Sequence, residues 1–174
     1  MRSEPEPAHP PVDDPRLDAW RAFLQAHALV SRRLEADLAA GESLSLAAYD
    51  ALAQLAIAGG RLRMSELADR VLLSRSGVTR LVDRLEADGL VVRRACSSDA
   101  RGAEAVLTRE GIERMRAAMP VHLRGVESYF LSRIDPSDLD VLTRAMRAVA
   151  DGGWPQDCAE PALAAGRPHE TERP

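Results

Sequence analysis

The chain contains no lysine, only 3% aromatic residues and two cysteines, and each shortage narrows the reading. All 23 basic residues are arginine, a bias expected of a GC-rich genome rather than of a code for a ligand. With so few aromatics the core must be built from Leu, Val, Ala and Met, which favours helices. Cys96 and Cys158 are expected to be ordinary reduced thiols. No hydrophobic run approaches the length of a membrane-spanning helix, and the acidic, proline-rich start is unlike a signal peptide, so a cytoplasmic protein away from membranes is expected. A phosphate-cradling glycine loop, a nucleophile motif and a His–carboxylate constellation are also missing. The four histidines, His9, His27, His122 and His169, have no Cys or His at ligand spacing nearby, so no catalytic residue, cofactor or metal site is assigned. His27 and His122 are expected to be partly buried helix residues.

What the chain does have is concentrated between Met64 and Arg101. Ser74 stands where an N-cap is wanted, and Val78, Leu81, Val82 and Leu85 follow at helical spacing as one apolar stripe. Asp88-Gly89 closes that helix, since glycine accepts the left-handed backbone of a C-terminal cap. Arg75, Ser76, Thr79, Arg80 and Arg84 lie mostly off the stripe, and such a face can donate hydrogen bonds to phosphates and to base edges in a major groove. A serine nucleophile in Ser74-Arg75-Ser76-Gly77 is the weaker account of the same residues. A shorter helix, capped by Ser65 and running to about Leu72, precedes it and buries Leu67, Ala68 and Val71. The brief link between the two makes them cross sharply, as in a helix-turn-helix, though without the glycine often found there.

After Gly89 the period changes from 3.6 to 2. Leu90, Val91 and Val92 favour a strand, Arg93 and Arg94 precede a polar tip from Cys96 to Gly102, and Ala105-Val106-Leu107 returns. Such a hairpin is a wing, and Arg101 at its tip suits a narrow minor groove. Asp99 is expected to pair with a neighbouring arginine and hold the wing in shape. The net charge of −4 at first argues against a nucleic-acid partner. From Arg61 to Arg101, however, nine Arg face six Asp or Glu, a local net of +3, and the remainder carries −7. Binding needs a local basic face, not a basic protein.

In chain order, residues 1–15 read as a flexible arm. Residues 16–40 form one long helix, with Leu17, Trp20, Leu24, His27, Leu34 and Leu38 in a stripe and Gly41 at its end. Leu44 to Ala58 is a second helix, and Arg61-Leu62-Arg63 a short strand that pairs with the wing. Thr108 caps a long helix whose stripe is Ile112, Met115, Met119, Leu123, Val126, Phe130 and Leu131, with a bend expected at Pro120. Asp135-Pro136-Ser137 opens a last helix with Leu139, Leu142, Met146 and Val149 on one side, and 151–174 reads as a tail. The fold class is mainly α with a small β-hairpin wing: a winged helix-turn-helix domain at 44–107, plus a helical region from 16–40 and 108–150.

The succession LAAYDALAQLA, MSELADRVLLSRSGVTRLVDRLEADGLVVRR, DAR and LTREG resembles the MarR family of bacterial transcription regulators over about residues 16 to 150. The resemblance implies a homodimer, with 16–40 and 108–150 as its helical dimerisation region, on double-stranded DNA with a pseudo-palindromic operator, usually a repressor released by a small molecule or by oxidation. The DNA-binding residues it points to are Ser74, Arg75, Ser76, Thr79, Arg80, Arg84, Arg94, Asp99 and Arg101. One departure is Ala100, where the family often has a wing-tip arginine between Asp and Arg, which removes one phosphate contact. An aromatic or phenolic effector is implied between the dimer lobe and the winged helix, with Trp20, His27, Tyr49 and Arg63 as lining candidates; a first-helix Trp is also found in the family's urate-responsive branch. Two alternatives stand beside this reading. One is a winged-helix protein-interaction module without DNA binding. The other is a redox-responsive regulator using Cys96, whose arginine neighbours favour a thiolate, although the family's peroxide sensors carry their cysteine in the first helix, where this chain has none.

Overall fold

The computed structural model describes residues 13–71, 73–96 and 99–152, and for residues 96 and 99–102 the backbone alone. Most of the expected arm and tail, Cys158, and the side chains of Cys96, Asp99 and Arg101 therefore lie outside the described residues. The chain divides into two compact units at Arg133 and Ile134. In the first unit the order is α1 (Arg16–Glu42), α2 (Leu46–Ile57), β1 (Arg61–Arg63), α3 (Met64–Arg70), α4 (Arg75–Ala87), β2 (Val91–Cys96), β3 (Asp99–Leu107) and α5 (Arg109–Tyr129), closed by a 3-10 turn. The second unit contains α6 (Leu139–Ala150), a helix with no buried residue of its own. Among the described residues no helix is long and apolar enough to cross a membrane.

The mainly helical fold with a small hairpin is as expected. β1, β3 and β2 form an antiparallel sheet in that order, with Leu62 opposite Ala105 and Arg93 opposite Ala105 on the other side. β2 and β3 reach further toward the wing tip than their apolar residues suggest, with a register shift between Ala95 and Cys96. The core gathers under α2, α3 and α4, where Leu38, Leu52, Leu55, Leu67, Leu85, Val78, Val82 and Val91 are fully buried. Each such side chain contributes roughly 1.5–3 kcal/mol of burial, before the entropy of ordering it is subtracted.

Several boundaries differ from the expectation, each for a local reason. α1 does not stop at Gly41; it runs to Glu42 and ends where Ser43 turns left-handed at φ 50°. Arg114 of α5 donates to the Glu42 carbonyl at 2.5 Å and holds that end. α2 starts at Leu46, capped by Ser45, and Glu35 of α1 accepts from the Leu46 N–H at 2.6 Å. Ser65 is not the cap of α3: the helix already begins at Met64, because the Glu66 carboxylate reaches back to the Arg63 N–H at 3.0 Å. The last helix opens at Leu139 rather than at Asp135, whose carboxylate instead accepts from the Ser137 N–H and hydroxyl in a turn. α5 continues without interruption through Pro120.

The stripe expected to bury α5 is only half used. Met119, Leu123 and Phe130 are exposed, while the buried positions are Gly111, Ala118 and Gly125. Small residues are needed because α1 and the α4–β2 junction come very close. A Cβ on Gly125 would stand 2.5 Å from Leu34 Cδ2, and one on Gly111 would stand 2.1 Å from the Leu90 carbonyl oxygen. The same junction holds Thr108. Its hydroxyl accepts from the Gly111 N–H at 3.0 Å and has one proton to direct at the Gly89 oxygen, 2.8 Å away, or the Leu90 oxygen at 3.0 Å.

α2 meets α5 through Tyr49 and His122, whose ring centroids are 4.4 Å apart. His122 is half-buried as expected, but His27 is exposed on α1. The Nδ1 of His122 is buried without a hydrogen-bond partner among the described residues. Burial lowers the His122 pKa, which Asp50 of α2 partly offsets, while burial raises that of Asp50.

Two outcomes are expected. Gly111→Ala forces the methyl against a backbone carbonyl and should destabilise the protein by about 2–3 kcal/mol in urea unfolding, with a change under 0.5 kcal/mol arguing that the junction gives way freely. For His122 the folded ring resists a proton that the unfolded chain accepts. Its contribution is therefore complete above the ordinary histidine value of 6.5 and is lost as the pH falls below it. Asp50 works in the opposite sense nearer the ordinary carboxylate value of 3.8, gaining stability on protonation. Urea unfolding across this range should show an acid-side loss beginning near pH 6.5 that His122→Phe removes.

Candidate nucleic-acid interface

α4 is divided sharply into two faces. Val78, Leu81, Val82 and Leu85 are buried, so one side of the helix is committed to the core. Ser74, Arg75, Ser76, Thr79, Arg80 and Arg84 are all exposed. Ser76, Arg80 and Arg84 recur at four-residue spacing and form a single row. Arg75, Thr79 and Asp83 form the row beside it. The helix starts abruptly, with the Ser74 hydroxyl accepting from the Gly77 N–H at 3.1 Å and lying 3.2 Å from the Ser76 hydroxyl. Thr79 donates its hydroxyl proton to the Arg75 carbonyl at 2.9 Å. At the other end Gly89 adopts φ 71°, and Leu90 donates its N–H to the Leu85 carbonyl at 2.8 Å. The recognition-type helix is thus fixed at both ends, its free donors confined to one side.

The wing rises directly from this end. Arg94 is exposed on β2 and stands opposite Glu104 of β3. Arg93, one residue earlier, points to the other face of the ladder, as alternation requires. Its guanidinium donates to the Thr79 carbonyl at 3.0 Å and to Asp83 at 2.5 Å, and Glu86 lies 3.6 Å away. From the sequence, Arg93 is expected only to favour a Cys96 thiolate, together with Arg94. The signal for its contact with α4 was there in two carboxylates three residues apart on the helix, with an Arg-Arg pair on the following strand.

The four effector candidates are placed differently. Trp20 and His27 lie on the exposed face of α1, joined through Phe23 by stacked rings at 5.8 and 6.1 Å. Tyr49 is buried in the core against His122. Arg63 is the N-cap residue of α3. A groove of about 440 Å³ runs between α1 and α5, lined by Asp37, Arg124, Ser128 and Tyr129 above Ala40, Gly41, Val121 and Gly125, and contains none of the four.

Comparison with known proteins bears on the family and the fold. The model of the MarR family matches residues 43–102, from the start of α2 to the wing. AbsC of Streptomyces coelicolor, a MarR family transcriptional regulator, superposes with a TM-score of 0.76 at 35% identity, covering 83% of this chain and 97% of that one. Sco3205 of the same organism, also a MarR family transcriptional regulator and solved in complex with DNA, superposes with a TM-score of 0.78 at 34% identity, covering 88% and 95%. The HTH-type transcriptional regulator MhqR of Bacillus subtilis is 26% identical over 86 residues, 49% of this chain. That match spans 59% of the length of MhqR.

The cap of α4 has a consequence that can be measured without any ligand. Ser74→Ala leaves the Gly77 N–H without its acceptor and should cost about 1 kcal/mol in urea unfolding, whereas Ser74→Asp should restore most of it. Equal stability of all three proteins would show that the cap is unimportant here.

Proposed function

The chain belongs to the MarR family of transcription regulators, and from that premise we propose that it is a homodimeric repressor whose two α4 helices enter successive major grooves of a pseudo-palindromic operator. The observation that carries the reading is the exposed row of Ser76, Arg80 and Arg84 on a capped helix whose opposite face is wholly buried. Such a helix has no core task left for those side chains. In the proposed complex Arg75, Ser76, Thr79 and Arg80 lie nearest the bases, Arg84 and Arg94 grip phosphates, and Ser74 adds a phosphate contact beside its capping role. Arg101 reaches the minor groove from the wing, held in shape by Asp99.

Dimerisation is supported by apolar side chains that the single chain leaves uncovered. Trp20, Phe23 and Leu24 of α1 and Met119 and Leu123 of α5 are all exposed. Burying such rows against a second copy is the economical way to remove them from water. The 18.9 kDa chain is then expected to sediment at twice its mass. Release from the operator by a small aromatic or phenolic effector completes the reading; this part rests on the family resemblance.

The deciding experiment is binding of the purified protein to its own upstream intergenic DNA and to scrambled DNA of equal length, at two salt concentrations. Tight, selective and salt-sensitive binding is expected, and phenols or urate can then be screened for release. Unselective or absent binding there, followed by failure to enrich any site from random DNA, would favour a protein-interaction module. Within a binding-competent protein, Arg101→Ala should weaken all sites alike and lower the salt slope by about 1, whereas Ser76→Ala or Arg80→Ala should change which sequences are preferred. Equal losses on every sequence from all three would contradict this division of labour.

A further inference from the structure

Arg93 is placed differently from the arginines assigned to DNA. Its side chain is 29% exposed, against 52% for Asp83 and 39% for Glu86. The guanidinium lies along α4, with Nη2 donating to the Thr79 carbonyl at 3.0 Å, Nη1 at 2.5 Å from Asp83 Oδ1 and 3.6 Å from Glu86 Oε2. The backbone N–H of the same residue donates to Glu86 Oε1 at 2.9 Å. Thr79, Asp83 and Glu86 recur at spacings of four and three, so they form one flank of α4. That flank adjoins the row of Ser76, Arg80 and Arg84.

Two carboxylates beside a row meant for phosphates are an electrostatic fault unless something neutralises them. Like charges brought together across an interface are costly, and the cost grows as water is squeezed out. One arginine pairs with both and offsets half of their charge, and it comes from the wing strand rather than from the helix. Arg93 is three residues from Cys96, the last residue of β2, so whatever holds Arg93 also sets where the wing leaves the helix.

We propose that Arg93 is a positioning residue for DNA recognition: it pairs with Asp83 and Glu86, offsetting part of their charge, and pins β2 to α4, so that reading helix and wing meet DNA as one surface. The proposal rests on the DNA-binding reading above. It differs from a phosphate contact by Arg93 in one respect: the importance of Arg93 should disappear when the two carboxylates disappear.

The test is a double-mutant cycle on the full chain, comparing wild type, Arg93→Ala, the isosteric pair Asp83→Asn with Glu86→Gln, and all three changes together. Affinity for the upstream intergenic fragment, or for a site selected from random DNA, is the first readout. Arg93→Ala should weaken binding about tenfold in the wild-type background and by less than about twofold once the carboxylates are gone. Arg93→Lys keeps the charge and should recover much of the loss. The same loss in both backgrounds, with the salt slope lowered by about 0.9, would make Arg93 a direct phosphate contact and overturn the proposal, as would no loss at all. Urea unfolding without DNA is the second readout, where Arg93 and the carboxylates should be coupled by a factor of about two to five in the unfolding constant. Additive effects there would overturn the brace. Wild-type protein that binds no DNA would sink the regulator reading and the positioning role with it, while the unfolding cycle would still report whether the brace exists.

Discussion

The carbonyl of Leu90 stands where the recognition-type helix has just ended, the wing is about to begin, and the long helix α5 starts after the wing returns. It accepts from the Thr108 N–H at 3.1 Å and lies so close to Gly111 that a methyl there would sit 2.1 Å away. Four elements are therefore tied within a few ångströms of one peptide group. The start of α5 is packed directly on Leu90, between the end of α4 and the root of β2. The left-handed turn at Gly89 and the caps at Ser74 and Thr108 serve this junction, since they set where the rigid pieces begin and stop. The junction is thus a short, closely packed link between the long helix and α4.

Much of the reader was legible in the sequence because its physics is local. Ser74, the stripe from Val78 to Leu85 and Gly89 encode a start, a face and a stop for α4, each acting within a turn or two. The Arg93 contact was not legible for the opposite reason. A strand alternates its side chains, so adjacent arginines at 93 and 94 must point to opposite faces, but which of them meets the helix depends on a register set by β3. The α3 cap failed similarly: Ser65 had the preferred residue type, while the Glu66 carboxylate reaching back to Arg63 decided the matter two residues earlier.

The long helices show a different limit. Periodicity identifies an apolar stripe but not what covers it. On α1 only Leu34 and Leu38 of the expected stripe are buried, and on α5 the side packed deepest is the one with Gly111, Ala118 and Gly125. Glycine and alanine read as weak signals in a sequence, yet close helix crossings depend on them because they let backbones approach. Large apolar residues at Trp20 and Leu123 look like core in the sequence and are exposed. Buried and exposed apolar positions share one periodicity, and the sequence pattern does not separate them.

The charge distribution follows from distance. At physiological salt, exposed charges farther apart than about 8 Å scarcely feel each other, so the −7 carried outside residues 61–101 has little say over what α4 meets. What matters is the ring of charges within a turn of the reading row: Arg75, Arg80 and Arg84 against Asp83 and Glu86. Left alone, those five would give a face of mixed sign. With Arg93 drawn in from the wing, the two carboxylates are occupied and the three helix arginines set the local sign. An acidic protein can in this way present a basic face, provided that the strand following the helix is held close enough to lend it a charge.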